Sequence, residues 1–129
     1  MILTTYARLW ADDLGAALPL LERLTGQRPA LRFVFEGIEL AAVGDFLVIA
    51  GPADMRARYA HATATVVVTD LDHTRAALEE EGARITTEEA ASATGRFLYA
   101  RHPGGAEVEY VEWTAEIRRK VLGPQADTR

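Results

Sequence analysis

The sequence contains no cysteine. Disulfides, thiolate metal sites and cysteine nucleophiles are therefore excluded, while the redox compartment is left open. Lysine is almost missing as well, since Lys120 is the only one among 14 basic residues. With 19 acidic residues the formal net charge is −5, and no clustered basic surface of the kind that binds nucleic-acid phosphates is expected. No apolar run approaches the roughly 20 residues needed to span a bilayer. The first residues, MILTTYARLW, lack a basic start followed by a long apolar stretch, so no signal peptide is expected and a soluble cytoplasmic protein is the default.

What is present suits one folded domain. The chain has 129 residues, of which 49% are hydrophobic, enough to build a core. Charged residues make up 26%, near the globular average, which argues against disorder.

Local patterns then divide the chain. Residues 2–11 read as a strand, and Asp12-Asp13 supplies a helix start. Leu14, Leu18, Leu21 and Leu24 follow at helical spacing, with a stop at Gly26. Pro19 lies inside this pattern, although proline suits only the first turn, where its missing N–H costs nothing. Three short strands are expected at 31–36, 38–43 and 46–50, broken by Gly37 and Gly44-Asp45 and ended by Gly51-Pro52. Residues 53–60 read as a connector. The pattern then restarts with a β-branched strand at 63–69 and a helix from Asp70, carrying Leu71, Ala77 and Leu78 and stopping at Gly82. Strands at 83–86, 96–101 and 107–113 complete the second set. Residues 114–122 suit a short helix, and 123–129 a frayed tail.

The order strand, helix, three strands thus occurs twice, visible in ADDLGAALPLLERLTG and again in VTDLDHTRAALEEEGA. The expected fold is α+β: two β-α-β-β-β modules forming a curved mixed sheet around a cavity, with the helices outside. Module one covers about 1–52, the connector 53–60, module two about 61–113, and a C-terminal tail 114–129, all within a single domain.

The segment VVVTDLDHTRAALEEEGARI, followed by TGRFLYARHPGGAEVEYVEW, resembles the glyoxalase/bleomycin-resistance/extradiol-dioxygenase superfamily, also called the vicinal oxygen chelate superfamily. The resemblance covers nearly all of residues 1–113. It is carried by the V-x-D-L helix entry, the Gly-Ala-x-Ile after the helix, and the R-x-P-x-G turn before x-x-E-x-x-E. The family usually writes that turn D-P-D-G-N; here His102 precedes Pro103, Gly104 replaces the second Asp and Ala106 replaces Asn.

In its metalloenzymes, the resemblance implies, four positions on the first and last strands of each module bind a divalent ion through His, Gln or Glu. The first-strand positions fall seven residues before each helix-entry aspartate, at Tyr6 and Thr63. The last strand of module one offers Val48 or Ala50, and that of module two offers Glu109. One carboxylate makes a poor metal site. No catalytic metal and no cofactor are therefore expected. His61, two residues before Thr63, shares its face by alternation, but a polar residue opening a strand is the simpler reading. His73 and His102 do not read as ligands.

If the family positions Tyr6 and Thr63 mark the inward face, period 2 extends it to Arg8, Trp10, Thr65, Glu109 and Trp113. The resemblance implies that Phe97 and Tyr99 face the same way, which gives an expected lining of Tyr6, Arg8, Trp10, Thr63, Thr65, Phe97, Tyr99, Glu109 and Trp113. Aromatic faces with a few polar points suit a flat, partly polar organic ligand, although aromatics also simply fill interiors. Glu109 is the candidate general base, or alternatively an ion-pair partner of Arg8. Three functions compete. The first is a metal-free binding protein close to the bleomycin-resistance branch, sequestering an aromatic or antibiotic-like ligand at the interface of a homodimer. The second is a lyase, isomerase or dioxygenase of the superfamily using altered ligands or Glu109. The third is an interaction module with a filled cavity. The balance leans toward a binding protein over an enzyme, without nucleic-acid or membrane partners.

Overall fold

Each of two aspartates starts a helix by the same device. Asp13 accepts a hydrogen bond from the N–H of Ala16 at 2.9 Å, and Asp70 accepts one from His73 at 3.0 Å. A side-chain acceptor at this position satisfies one of the amides that the first helical turn leaves unpaired. The computed structural model describes residues 1–123, apart from the side chain of Met55. Its elements run β1 (Ile2–Ala11), α1 (Leu14–Thr25), β2 (Leu31–Phe35), β3 (Ile38–Val43), β4 (Phe46–Ala50), α2 (Ala53–Arg56), β5 (Ala62–Val68), α3 (Leu71–Glu80), β6 (Arg84–Ser92), β7 (Gly95–Arg101), β8 (Glu107–Trp113) and α4 (Ala115–Leu122).

The β-α-β-β-β order is thus present twice, in an α+β chain. Two compact units are distinguished: Tyr6–His61, and Ala62 onward together with Met1–Thr5. In the first, the strand order is β2-β3-β4-β1, with β1 parallel to β4 and the other pairs antiparallel. The second repeats this as β6-β7-β8-β5, with β5 parallel to β8. Both modules therefore share one topology, as a duplicated sequence pattern requires.

In the Tyr6–His61 unit, α1 buries Leu14, Leu18 and Leu21 against Ala41, Val43, Val48 and Ala50. Fully burying each leucine contributes roughly 1.5–3 kcal/mol before entropy is counted. Gly26, at φ 69°, closes the helix by donating its N–H to Glu22 at 2.9 Å, in a left-handed conformation that glycine adopts without steric cost. Pro19 is the exposed sixth residue of α1, one turn later than proline is best tolerated. The three buried leucines hold the helix across it.

In the other unit, α3 covers Val66, Val68, Leu98, Ala100 and Tyr110 with Leu71 and the partly buried Leu78. Glu112 receives the backbone N–H of Leu71 at 2.8 Å, which adds a negative charge to the amino end of α3. Arg96 ties that carboxylate, at 3.1 Å, to Glu89 at 3.0 Å and to Asp72 at 3.4 Å.

Two stretches differ from the sequence expectation. β6 extends to Ser92, beyond the expected end at 86, because β7 offers it a ladder that Ala90, Ala91 and Ser92 join beyond a register shift at Glu88-Glu89, although alanine and glutamate are weak strand formers. The expected connector contains the short helix α2, fixed by Arg56, whose guanidinium reaches the carbonyl of Gly51 at 2.8 Å and Asp12 at 2.9 Å. In the expected tail, α4 is capped by Thr114, which accepts from Ile117 at 3.2 Å. Residues 124–129, the frayed end expected from the sequence, lie outside the described residues.

Candidate functional site

Ladder register decides which side chains share a face. Thr65 lies opposite Glu109 across the parallel β5–β8 pair, and Tyr99 lies opposite Glu109 across the antiparallel β7–β8 pair. Val67, Val111 and Phe97 form the next row, and Trp113 stands beside Gly95. All of these side chains project from the face opposite to α3, since the alternate residues Val66, Leu98, Ala100 and Tyr110 pack beneath that helix.

The polar pair in this face is tight. Thr65, only 4% exposed, donates its hydroxyl to Glu109 Oε1 at 2.8 Å. Around it the face is aromatic. The rings of Phe97 and Tyr99 meet edge to face with centroids 6.0 Å apart, and both are buried, as is Trp113. Edge-to-face contact puts the positive rim of one ring against the negative face of the other. Gly95 is required here: a Cβ at its φ of 153° would collide with the carbonyl oxygen of Glu112 and reach within 3.0 Å of the Cα of Trp113. Its signal in the sequence was only a Thr-Gly turn.

Thr63 stands outside this register. The β5–β8 pairing slips between Ala62 and Ala64, so Thr63 is the extra residue of a bulge and is exposed. His61, just before the strand, is exposed too.

The Tyr6–His61 unit holds the remaining expected residues on its own face away from α1. Arg8 and Trp10 lie opposite Leu47 and Ile49 of β4, and the guanidinium of Arg8 rests 5.1 Å from the centre of the Trp10 ring. That separation is within the range of a cation–π attraction. Tyr6 is 4% exposed, and its phenol is pushed up to about 12, first by burial and then by the negative charge of Asp45. The Asp45 effect was not legible from sequence, because Gly44-Asp45 reads there only as a turn.

Two of the residues counted as family metal positions belong to another face. Val48 and Ala50 pack under α1, so the side chains that β4 turns the other way are Leu47 and Ile49, which are equally unable to ligate. Tyr6 carries a phenol that stays protonated at neutral pH, and Thr63 points out of a bulge. Among the described residues, no three His, Cys, Asp or Glu side chains are grouped as a divalent ion would need. The donor set at these positions does not fit the metal that the superfamily's metalloenzymes use.

No family model matches the chain, and no curated protein matches it in sequence. Solved structures are. An uncharacterised protein of Methanosarcina mazei is 36% identical, superposes with a TM-score of 0.83, and is matched over 88% of this chain and 94% of its own. The chain belongs to one family with that archaeal protein. Methylmalonyl-CoA epimerase from Mycobacterium tuberculosis is 20% identical with a TM-score of 0.65, over 87% of this chain and 88% of that one. A Streptomyces coelicolor methylmalonyl-CoA epimerase in complex with 2-nitronate-propionyl-CoA is 19% identical with a TM-score of 0.65, over 85% and 93%. These epimerases are of the vicinal oxygen chelate superfamily, and the likeness gives the family of this chain that fold. It does not extend to the narrower bleomycin-resistance-like branch. No helix among the described residues is long and apolar enough to cross a membrane.

Proposed function

We propose that this protein binds a small, partly aromatic organic molecule without a metal, and that Glu109 anchors it. The Thr65–Glu109 hydrogen bond, set in the face of Phe97, Tyr99 and Trp113, carries this reading. A sheet face that served only as filling would be most stable if aliphatic, because a carboxylate taken from water is costly unless it is paired. Here the carboxylate is kept, oriented by a buried hydroxyl, and ringed by aromatic surface on which a flat ligand stacks. Sequestration of an antibiotic-like molecule by a homodimer is the form of binding proposed, on the sequence resemblance alone. Native mass spectrometry of the freshly purified protein tests the proposal: a co-purified small molecule retained by the wild type and lost in Glu109→Leu supports it. Titration with aromatic natural products, followed by tryptophan fluorescence, is the second measurement. Quenching is expected in the wild type, and no response across a broad panel would defeat the proposal.

The shared fold with methylmalonyl-CoA epimerases favours one other reading, an isomerase in which Glu109 moves a proton. Inverting a carbon centre through its carbanion needs a base on one face and an acid on the other. On the Glu109 face the register supplies two carboxylates: Glu109, with the phenol of Tyr99 beside it, and Glu107, which accepts from Thr86 at 2.7 Å. Both project from β8 to the same side, so neither stands on the opposite face of a molecule seated there. Binding without turnover is therefore preferred. Glu109→Gln separates the two, because an isomerase loses turnover while retaining ligand, and a binder loses only affinity.

A further inference from the structure

The outer edge of β2 has the chemistry of an interface with a second copy of the chain. β2 stands at the end of the strand order, and among the described residues β3 is the strand that pairs with it. Open edges are normally blunted by bulges and charges. The end strand of the other unit shows both: β6 has register shifts near Thr87 and carries Arg84, Glu88 and Glu89. β2 has no such shift, and its Val34 is 60% exposed.

The sequence along this edge is Arg32-Phe33-Val34-Phe35-Glu36, which reads alike in both directions apart from opposite charges at its two ends. β2 and β3 are joined by the two-residue turn Glu36-Gly37, both at positive φ (51° and 82°), which closes on the Phe35–Ile38 pair. In such a hairpin the closing pair is hydrogen-bonded, and bonded pairs alternate along an antiparallel ladder. Phe35, Phe33 and Leu31 therefore turn their backbone groups toward β3, while Arg32 and Val34 turn theirs toward the open edge.

We propose that β2 pairs antiparallel with β2 of a second copy, about a twofold axis through Val34. Val34 then bonds to Val34 of the partner subunit through the outward N–H and C=O of each. Phe33 faces Phe35 of the partner subunit, twice. Arg32 faces Glu36 of the partner subunit, also twice. Glu36 is a turn residue, so it contributes a side-chain ion pair and not a ladder rung. Its carboxylate is already oriented by Arg58 and Tyr59, both at 3.3 Å. Aromatic pairs and opposite charges directly across a ladder are the pairs that stabilise sheets. Other registers are worse. An axis through Arg32 sets two guanidinium groups against each other, and an axis through Phe33 sets Arg32 against an apolar Val34. The interface is isologous, so it closes at two copies.

Sedimentation equilibrium on the full chain tests this. The wild type is expected to form a concentration-dependent dimer. Val34→Pro removes the outward N–H and leaves the ladder to β3 intact, and it should abolish association. Arg32→Glu and Glu36→Arg each place like charges across the axis and should weaken it by roughly tenfold or more. Mixing these two variants restores both ion pairs, so a one-to-one heterodimer is expected in native mass spectrometry. Circular dichroism checks that each variant is folded. A wild type that stays monomeric at every concentration would overturn the proposal. So would a dimer indifferent to all three substitutions, or a mixture of the two charge variants that fails to associate.

Discussion

Thr65 and Glu109 lie 44 positions apart in the chain, yet the hydroxyl of one donates to the carboxylate of the other at 2.8 Å. Parallel pairing of β5 with β8 puts them in one row, and the bond fixes the carboxylate in the aromatic face that carries the proposed ligand site.

Replacing Thr65 by valine keeps the volume of the buried side chain and removes the donor. The carboxylate then lacks one of its partners, and the expected cost is about 1–3 kcal/mol in urea unfolding. Thr65→Ser retains the hydroxyl and should recover most of that loss. The same order is expected for ligand affinity, with wild type and serine close together and valine weaker. Equal stability of the valine and serine variants would show that the bond does not matter.

Gly95 opens β7 where the backbone of Glu112 and Trp113 passes against it. An alanine methyl there has no room, and the nearby groups are backbone, which moves only if the ladder opens. Gly95→Ala is therefore expected to cost about 3 kcal/mol or more. Thermal unfolding by circular dichroism measures it. Gly104→Ala is the control, because a Cβ at Gly104 meets nothing within 4 Å.

Much of this fold was legible before any coordinates, for a physical reason. Helix caps and period-2 faces are local, so Asp13, Asp70 and the division between Tyr110 under α3 and Glu109 on the other face followed from spacing alone. What failed to appear was set by pairing. The parity of β4 depends on its register with β1, where Leu9 lies opposite Val48, and no local signal fixes that. The bulge at Thr63 likewise arises from the match of β5 to β8. β6 is long because β7 holds it, against the propensity of its own residues. Around the candidate site, the aromatic face was read from the superfamily resemblance extended by alternation, whereas the Thr65–Glu109 bond and the charge of Asp45 near Tyr6 needed three dimensions.

The two leucine populations of the helices should respond to truncation by very different amounts. Leu71 is fully buried at the start of α3, whereas Leu24 of α1 is 70% exposed. Leu71→Ala leaves a cavity among Val66, Leu98 and Tyr110 and is expected to cost about 2–5 kcal/mol. Leu24→Ala should change stability by no more than about 0.5 kcal/mol. Urea midpoints with unchanged slopes give both values.

Tyr6 gives the protein a distinctive alkaline response. Its phenol ionises near 12 in the folded state, because burial disfavours the phenolate and Asp45 repels it, whereas an unfolded tyrosine ionises near 10. The folded pKa is the higher one, so the contribution of the neutral phenol is fully present below about pH 10. As pH rises above that value the unfolded chain releases its proton first, and stability falls until the folded phenol ionises as well, near 12. Tyr6→Phe removes this group from the balance. Subtracting its stability from that of the wild type at each pH cancels Tyr110, whose phenol burial also raises, and every other group common to both chains. The difference should be constant below about pH 10 and should shrink in favour of the phenylalanine variant up to about pH 12. Asp45→Asn removes the repelling charge and should draw the start of phenolate absorbance in the folded protein to lower pH. A difference that stays flat across this window would show that Tyr6 ionises as freely in the fold as in the unfolded chain.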